Sequence, residues 1–310
     1  MKRTVALVLL MLAFSAGAFA QANAGLAAIS GTVHDSSGAV VPGAMVLVTN
    51  QARGIQRTTL STEGGVFTIP ALIPSAGYSM KVSLQGFKGW EAKDFSLQVG
   101  QTLDFAVTME VAGAQAEVSV TAEAPLVEDT KSGVSQVINQ TQIDDLPING
   151  RRVDSFVLLT PGVTNDGNFG LLTFRGIANG NSFLLDGNDS TERFFMENNG
   201  RTRVISQISQ DAVQEFQVVS SNYTAEFGRA SGGVVNTVTR SGSNDLHGTA
   251  YSFYRNRNFN AHDPYAPVDS TGNIINPPDV RYQSGGSLGG VFIKDKLFYF
   301  VNGEYTHRNF

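Results

Sequence analysis

Beyond residue 14 no stretch of this chain reaches the roughly 18 consecutive apolar residues of a membrane-crossing helix, yet its N-terminus reads as an export signal. In MKRTVALVLLMLAFSAGAFA, Lys2 and Arg3 form a positive start, Val5–Phe14 an apolar core, and Ala18-Phe19-Ala20 a small-residue cleavage site. Residues 1–20 are therefore expected to be a signal peptide, and the apolar core is too short to cross ~30 Å of hydrocarbon. Any attachment of the exported chain to a membrane then has to come from β-structure.

The composition suits that reading. Charged residues are 16% of the chain, against about 25% in average globular proteins. The formal net charge is −5, and removal of Lys2 and Arg3 with the leader makes it −7. A basic footprint for DNA or RNA is missing, so no nucleic-acid partner is expected. The chain has no cysteine, which excludes a disulfide framework, thiolate zinc sites and a cysteine nucleophile.

Residues 27–110 contain short alternating segments with turn chemistry at regular spacing. Ile29–Val33, Ala44–Val48, Val66–Ile69, Tyr78–Leu84 and Leu103–Met109 read as strands, and Asp35–Gly38 and Thr62–Gly65 as turns. Strands spaced in this way suggest a β-sandwich. The stretches ISGTVHDSSGAVVPGAMVLVTN, TEGGVFTIPAL, YSMKVSLQGFK and TLDFAVTME resemble the carboxypeptidase regulatory-like domain, a transthyretin-like sandwich also grouped as a carbohydrate-binding-like fold. One departure is the expanded turn IPSAGY, Ile73–Tyr78. The resemblance implies no peptidase activity, because fold alone does not imply function.

Residues 111–125 form a small, Ala-rich connector around an alternating centre, Glu117, Val118, Ser119, Val120, Thr121 and Ala122. Two readings stay open: a plain linker or terminal strand, or a segment that adds to a partner's sheet edge. Residues 126–243 mix short elements. Thr141–Pro147 reads as a capped helical turn stopped by proline and Asp154–Leu159 as a second short helix. Phe183–Leu185, Phe216–Ser220 and Gly233–Thr239 read as strands.

In order, IDDLPINGRRVDSFVLLTPGV, FRGIANGNSFLLDG, DAVQEFQVVSSNYTAEFG and ASGGVVNTVTRSG resemble the plug domain of TonB-dependent receptors. Together with the preceding sandwich they point to the adhesin-like, large-receptor branch of that family. The resemblance implies a plug that blocks a barrel lumen until an energised inner-membrane partner pulls on it. It also implies a TonB-box role, binding of a TonB-type energy-transducing protein, for Glu117–Ala122.

Residues 245–310 read as the start of a barrel. After the Gly/Ser/Asn hinge SGSND, Leu246–Arg255 is an aromatic-rich strand whose Tyr251, Phe253 and Tyr254 are available for an interfacial girdle. Gln283–Ile293 and Leu297–Tyr305 follow, separated by the tight turn Lys294-Asp295-Lys296. Leu297, Tyr299, Val301 and Tyr305 are expected to face lipid, and Asn302 and Glu304 the lumen with Phe298 and Phe300. The first connection is about 27 residues and the second about three, the long-outside, short-periplasmic order of outer-membrane barrels. GGSLGGVFIKDKLFYFVNGEY also resembles the early barrel of the same receptors, with Val291 where a proline is frequent. About three strands cannot span a membrane alone, since lipid tolerates no open sheet edge. The chain is thus expected to be an N-terminal fragment of a longer receptor.

Chemical motifs are weak. Gly285–Gly289 matches G-x-S-x-G but continues as a hairpin, without the helix a nucleophile elbow needs. Asp186, Asn188, Ser190 and Glu197 fall on calcium-loop positions, but Thr191 stands where glycine is required. His34, His247, His262 and His307 have no ligand spacing. Arg151, Arg152, Arg201 and Arg203 are expected to be solvated or lumen-facing. No catalytic residue, metal or cofactor is assigned, and the chain is not expected to be an enzyme.

The expected fold class is mainly β: a transthyretin-like β-sandwich, an α+β plug domain and the first strands of an incomplete transmembrane β-barrel. The expected function is the N-terminal part of an outer-membrane receptor for energised uptake of a large or scarce ligand, with the sandwich in the periplasm. Its partners would be the energy transducer, outer-membrane lipid and an unknown extracellular ligand, with carbohydrate one candidate. The alternative is a non-transport surface or periplasmic module that binds carbohydrate or protein through the sandwich.

Overall fold

The computed structural model describes residues 25–112, 120–122, 134–148, 151–152, 154–166, 171–178, 180–192, 208–223, 227–259, 265–272, 275 and 280–309. The signal-peptide reading, Glu117–Ser119, Glu197, Arg201, Arg203 and His262 lie outside them. No helix among the described residues is long and apolar enough to cross a membrane.

The first unit is a two-sheet sandwich. One sheet is ordered β4 (Val66–Leu72), β1 (Ala27–Asp35), β7 (Thr102–Met109). The other is ordered β3 (Ile55–Leu60), β2 (Met45–Asn50), β5 (Ser75–Ser83), β6 (Trp90–Leu97) and the three-residue β8 (Val120–Ala122). Side chains alternate between core and solvent along β1, β2, β5 and β7, the period a half-buried strand imposes. Ile29, Val33, Val46, Val48, Phe67, Met80, Phe105 and Val107 fill the space between the sheets. Phe105 packs edge-on against Phe95 at 5.3 Å and Trp90 at 5.9 Å. β1 and β7 pair in parallel from Ala28↔Thr102 to Asp35↔Met109.

β3 and β6 are strands that the sequence pattern does not announce. β6 carries a bulge: Ala92 and Phe95 oppose Met80 and Tyr78, so β6 has one extra residue there, and Asp94 takes a left-handed φ of 53°. That residue shifts the alternation out of phase. The expanded Ile73–Tyr78 turn belongs largely to β5 and is pinned by the Tyr78 hydroxyl, which donates to Ile73 O at 2.7 Å.

The plug sheet is ordered β13 (Asn188–Asp189), β12 (Ser182–Leu185), β15 (Val234–Thr239), β14 (Val213–Ser221), β9 (Val134–Ile138). A hairpin of β10 (Val163–Asn165) and β11 (Leu172–Phe174) stands beside it. Helix α1 (Gln140–Asp145) starts at a capping box in which Asn139 Oδ1 accepts from the Gln142 backbone and Gln142 Oε1 from the Asn139 backbone. It ends where Leu146 turns extended before Pro147, the conformation proline imposes on its predecessor. Ile143 of α1 and Phe156 of α2 (Asp154–Val157) pack on Ile138, Phe174 and Phe216.

The third unit is an antiparallel sheet of β16 (His247–Asn256), β17 (Val280–Ile293) and β18 (Leu297–Asn309). β17 starts three residues before the expected Gln283 and β18 runs four past Tyr305. Asp295 supplies the left-handed position of the tight turn, φ 62°. The two faces differ in chemistry. One carries Tyr254, Tyr282, Leu288, Val301 and Tyr305, all exposed, with Leu288 opposite Val301 and Tyr254 opposite Tyr282. The other carries Thr249, Tyr251, Gln283, Ser287, Asn302 and Glu304 and meets the plug. This is the apolar-out, polar-in dyad repeat of an outer-membrane barrel wall. The aromatic reading of β16 changes accordingly: Tyr254 is on the outer face, whereas Tyr251 and Phe253 point to the plug, with the Arg151 guanidinium 4.1 Å and 5.1 Å from their rings.

Candidate functional site

The only candidate site residues from the sequence, Glu117–Ala122, are described for their last three members. Val120, Thr121 and Ala122 form β8 and pair in parallel with Trp90, Glu91 and Ala92 of β6. The chain is led there by a tether just before β6. Val111 bridges to Phe87, Lys88 N donates to Glu110 O at 2.7 Å and Ala112 N to Gly86 O at 2.9 Å. Lys88 Nζ and Glu110 Oε2 add an ion pair at 2.8 Å. On β6 the Glu91 carboxylate sits between Lys81 at 3.2 Å and Lys93 at 3.0 Å. Without β8, β6 would end its sheet with unpaired backbone groups.

A second constellation joins sandwich to plug. Glu215 of β14 is 6% exposed, and its Oε1 accepts from Val99 N at 2.6 Å. Burial pushes its carboxyl up to about 7, against the opposing pull of that hydrogen bond. Beside it, Gly100 takes a φ of +65°, and a Cβ there would fall 2.3 Å from Gln217 Nε2. Arg53, in the β2–β3 turn, reaches Gln214 Oε1 at 3.4 Å and also donates to Ser241 Oγ. Gln214 in turn donates to Pro74 O.

Asn244, in the hinge between plug and β16, ties three parts together. Its Nδ2 donates to Gln51 O of the sandwich and to Asp295 Oδ1 of the barrel turn, both at 2.7 Å. Its N–H donates to Ala52 O at 2.8 Å, and its Oδ1 accepts from Asp295 N at 3.0 Å. Gly242 is the close-approach residue of this hinge, since a Cβ would lie 2.3 Å from Tyr299 O and 2.5 Å from Gly290 O.

The third constellation joins plug to barrel. Asp211, 6% exposed, accepts from Thr249 Oγ1 of β16 at 2.6 Å and from Asn302 Nδ2 of β18 at 3.4 Å. Glu304 accepts from Tyr251 at 2.5 Å, Gln283 at 2.9 Å and Ser209 at 3.1 Å. A cleft of about 360 Å³ opens between the C-terminal end of α1 and the strands, with Asp144 and Asp145 on one wall and Arg255 and Arg281 on the other. Sequence reasoning named Asn302 and Glu304 as inward-facing but missed Asp211 and Asn244. Each is one polar residue in a polar stretch, and only the fold shows what it meets.

The chemical motifs have structural employment. Ser287 lies in mid-strand, its Oγ 3.0 Å from Thr249 Oγ1, not at a strand-to-helix elbow. Asp186 accepts from Thr239 N at 2.8 Å and Thr239 Oγ1 at 2.9 Å, while Asp189 pairs with Arg229 at 3.2 Å. These carboxylates hold plug strands to their neighbours.

Comparison with known families adds independent support. The carboxypeptidase regulatory-like domain matches residues 28–110, the TonB-dependent receptor plug domain residues 127–235 and the outer membrane beta barrel domain residues 238–309. The TonB-dependent transporter Oar of Myxococcus xanthus is 26% identical over 314 residues, covering 97% of this chain and 28% of its own length. The probable TonB-dependent siderophore receptor PirA of Acinetobacter baumannii is 28% identical over 202 residues, covering 60% of this chain and 24% of its own. The crystal structure of PirA aligns with 58% of this chain and 25% of its own, at 22% identity and a TM-score of 0.41. The chain thus spans about a quarter of the length of these relatives. Sandwich, plug and barrel wall follow one another in the matched order and are assembled on one another, and the chain carries the domains of a TonB-dependent outer-membrane receptor in that order.

Proposed function

We propose that this chain forms the periplasmic and plug portion of a receptor for energised uptake of a large or scarce ligand, and that Glu117–Ala122 recruits a TonB-type energy-transducing protein. The observation that carries the reading is the plug seated on the polar face of β16–β18, with Asp211 bridging two barrel strands while the opposite face is apolar and exposed. A wall of that chemistry suits a plugged pore. The recruiting role rests on the connector's place between sandwich and plug and on its extended backbone at Val120–Ala122, the conformation used in strand addition. The non-enzymatic reading is supported by the structural use of Ser287, Asp186 and Asp189. Deleting Glu117–Ala122 in a receptor with its whole barrel should abolish uptake of labelled ligand and leave surface binding intact. Unchanged uptake would refute the recruiting role, and recovery of the native protein in the soluble periplasmic fraction would refute the receptor reading.

A further inference from the structure

The recruiting strand is not loose. β8 is the last strand of a five-stranded sheet, and its pairing with β6 uses one of its two backbone edges. Among the described residues nothing pairs with the other edge. The tether at Gly86–Lys88 returns the chain from β7 to the start of β6, and β8 then runs in the same direction as β6. The sandwich therefore holds Val120–Ala122 extended, in fixed register, with N–H and C=O groups directed outward.

We propose that the sandwich is a presentation platform: a strand of the energy-transducing partner adds to the open edge of β8 as the sixth strand of the β3-β2-β5-β6-β8 sheet. This rests on the reading of Glu117–Ala122 as the recruiting segment and adds what holds it and in what form it is met. Ordering a residue's backbone into one extended conformation costs conformational entropy. A strand already fixed by its own sandwich spares the partner that cost, which is how preorganisation tightens binding. Val118, Val120 and Thr121 are β-branched and favour the extended form. Val120, Thr121 and Ala122 carry no charge, so no charged residue of β8 guards this edge against pairing. The partner chemistry that fits is an exposed β-strand edge.

The test uses the absence of cysteine from the chain. Glu91 and Thr121 are register partners in β6 and β8, and the spacing of adjacent strands, about 4.8 Å, is within disulfide reach. Glu91→Cys and Thr121→Cys are combined in the complete receptor in detergent. Binding to the immobilised periplasmic domain of the TonB-type protein is then measured in the oxidised and reduced forms. The expected result is that the disulfide forms and the oxidised receptor binds as tightly as the reduced one or up to about tenfold tighter. The reduced form, binding like the unmodified receptor, controls for folding. A disulfide that fails to form, or oxidised receptor that binds more than tenfold weaker, overturns the proposal, the second result meaning that the strand must leave the sandwich before it is recruited. Deletion of Glu117–Ala122 separates the two readings. If binding survives the deletion, the recruiting role itself fails. If the deletion abolishes binding while oxidation weakens it, only presentation fails.

Discussion

Glu215 of the plug accepts a hydrogen bond from the backbone N–H of Val99 in the sandwich at 2.6 Å, inside a seam that leaves the residue 6% exposed. Its pKa is raised to about 7 from an ordinary 4.5, chiefly by burial. A carboxyl raised in the folded state favours that state while protonated, so the contribution is full below about pH 4.5 and is lost as pH rises through about 7. The span corresponds to about 3 kcal/mol. Denaturant midpoints of the wild type should fall over that interval relative to Glu215→Gln, which stays neutral. Parallel profiles for the two proteins would contradict this.

Asp211 is a buried carboxylate with one partner on each of two barrel strands. Asp211→Ala leaves Thr249 and Asn302 without that acceptor and should loosen the plug by about 1.5–3 kcal/mol, the range for hydrogen bonds to charged groups. Limited proteolysis of the assembled receptor should cut the plug faster, with the sandwich unaffected.

At the hinge, Asn244→Ala removes both side-chain bonds to the barrel turn and one to the sandwich. Amide exchange at Gln51–Gly54 and at Lys294–Lys296 should accelerate together. Acceleration at one site alone would mean that Asn244 does not couple them.

Gly31 lies between Phe67 and Phe105 in the central strand of its sheet, and a Cβ there would fall 2.2 Å from Phe105 O and 2.7 Å from the Phe67 ring. Gly31→Ala should destabilise the sandwich by about 1–3 kcal/mol, the usual range for overpacking. The thermal midpoint of the sandwich transition reads the effect.

Tyr78→Phe tests the expanded turn. It leaves Ile73 O without its donor and should cost about 1 kcal/mol, seen as a lower unfolding midpoint of the sandwich.

The sandwich, plug and barrel start were legible because alternation, turn residues and loop lengths agree there. β6 was not, because the bulge at Asp94 breaks the period-two pattern. β3 was not, because IQRTTL is an edge strand with little buried surface and no apolar stripe. The parallel pairing of β1 with β7 joins residues some 70 positions apart, which local pattern does not encode. Around Val120 the sequence showed alternation but left linker and strand both open, because its resting place on Trp90–Ala92 depends on where the sandwich leaves an open edge. Asp211 and Asn244 escaped notice for a related reason: their importance comes from units far apart in sequence, two meeting at Asp211 and three at Asn244.

The parallel pairing of β1 with β7 also sets the mechanical behaviour of the molecule. Eight parallel partners, at about 3.3 Å per residue, put the chain's exit from β7 at the end of the sandwich away from Val99 and the plug. Tension applied at Val120–Ala122 therefore travels along the covalent chain to β9 before it reaches any other plug strand. β9 is the outermost strand of its sheet, held by one ladder to β14. A load applied there would meet the plug first at its peripheral strand, β9, and only then at the β14–β15 centre.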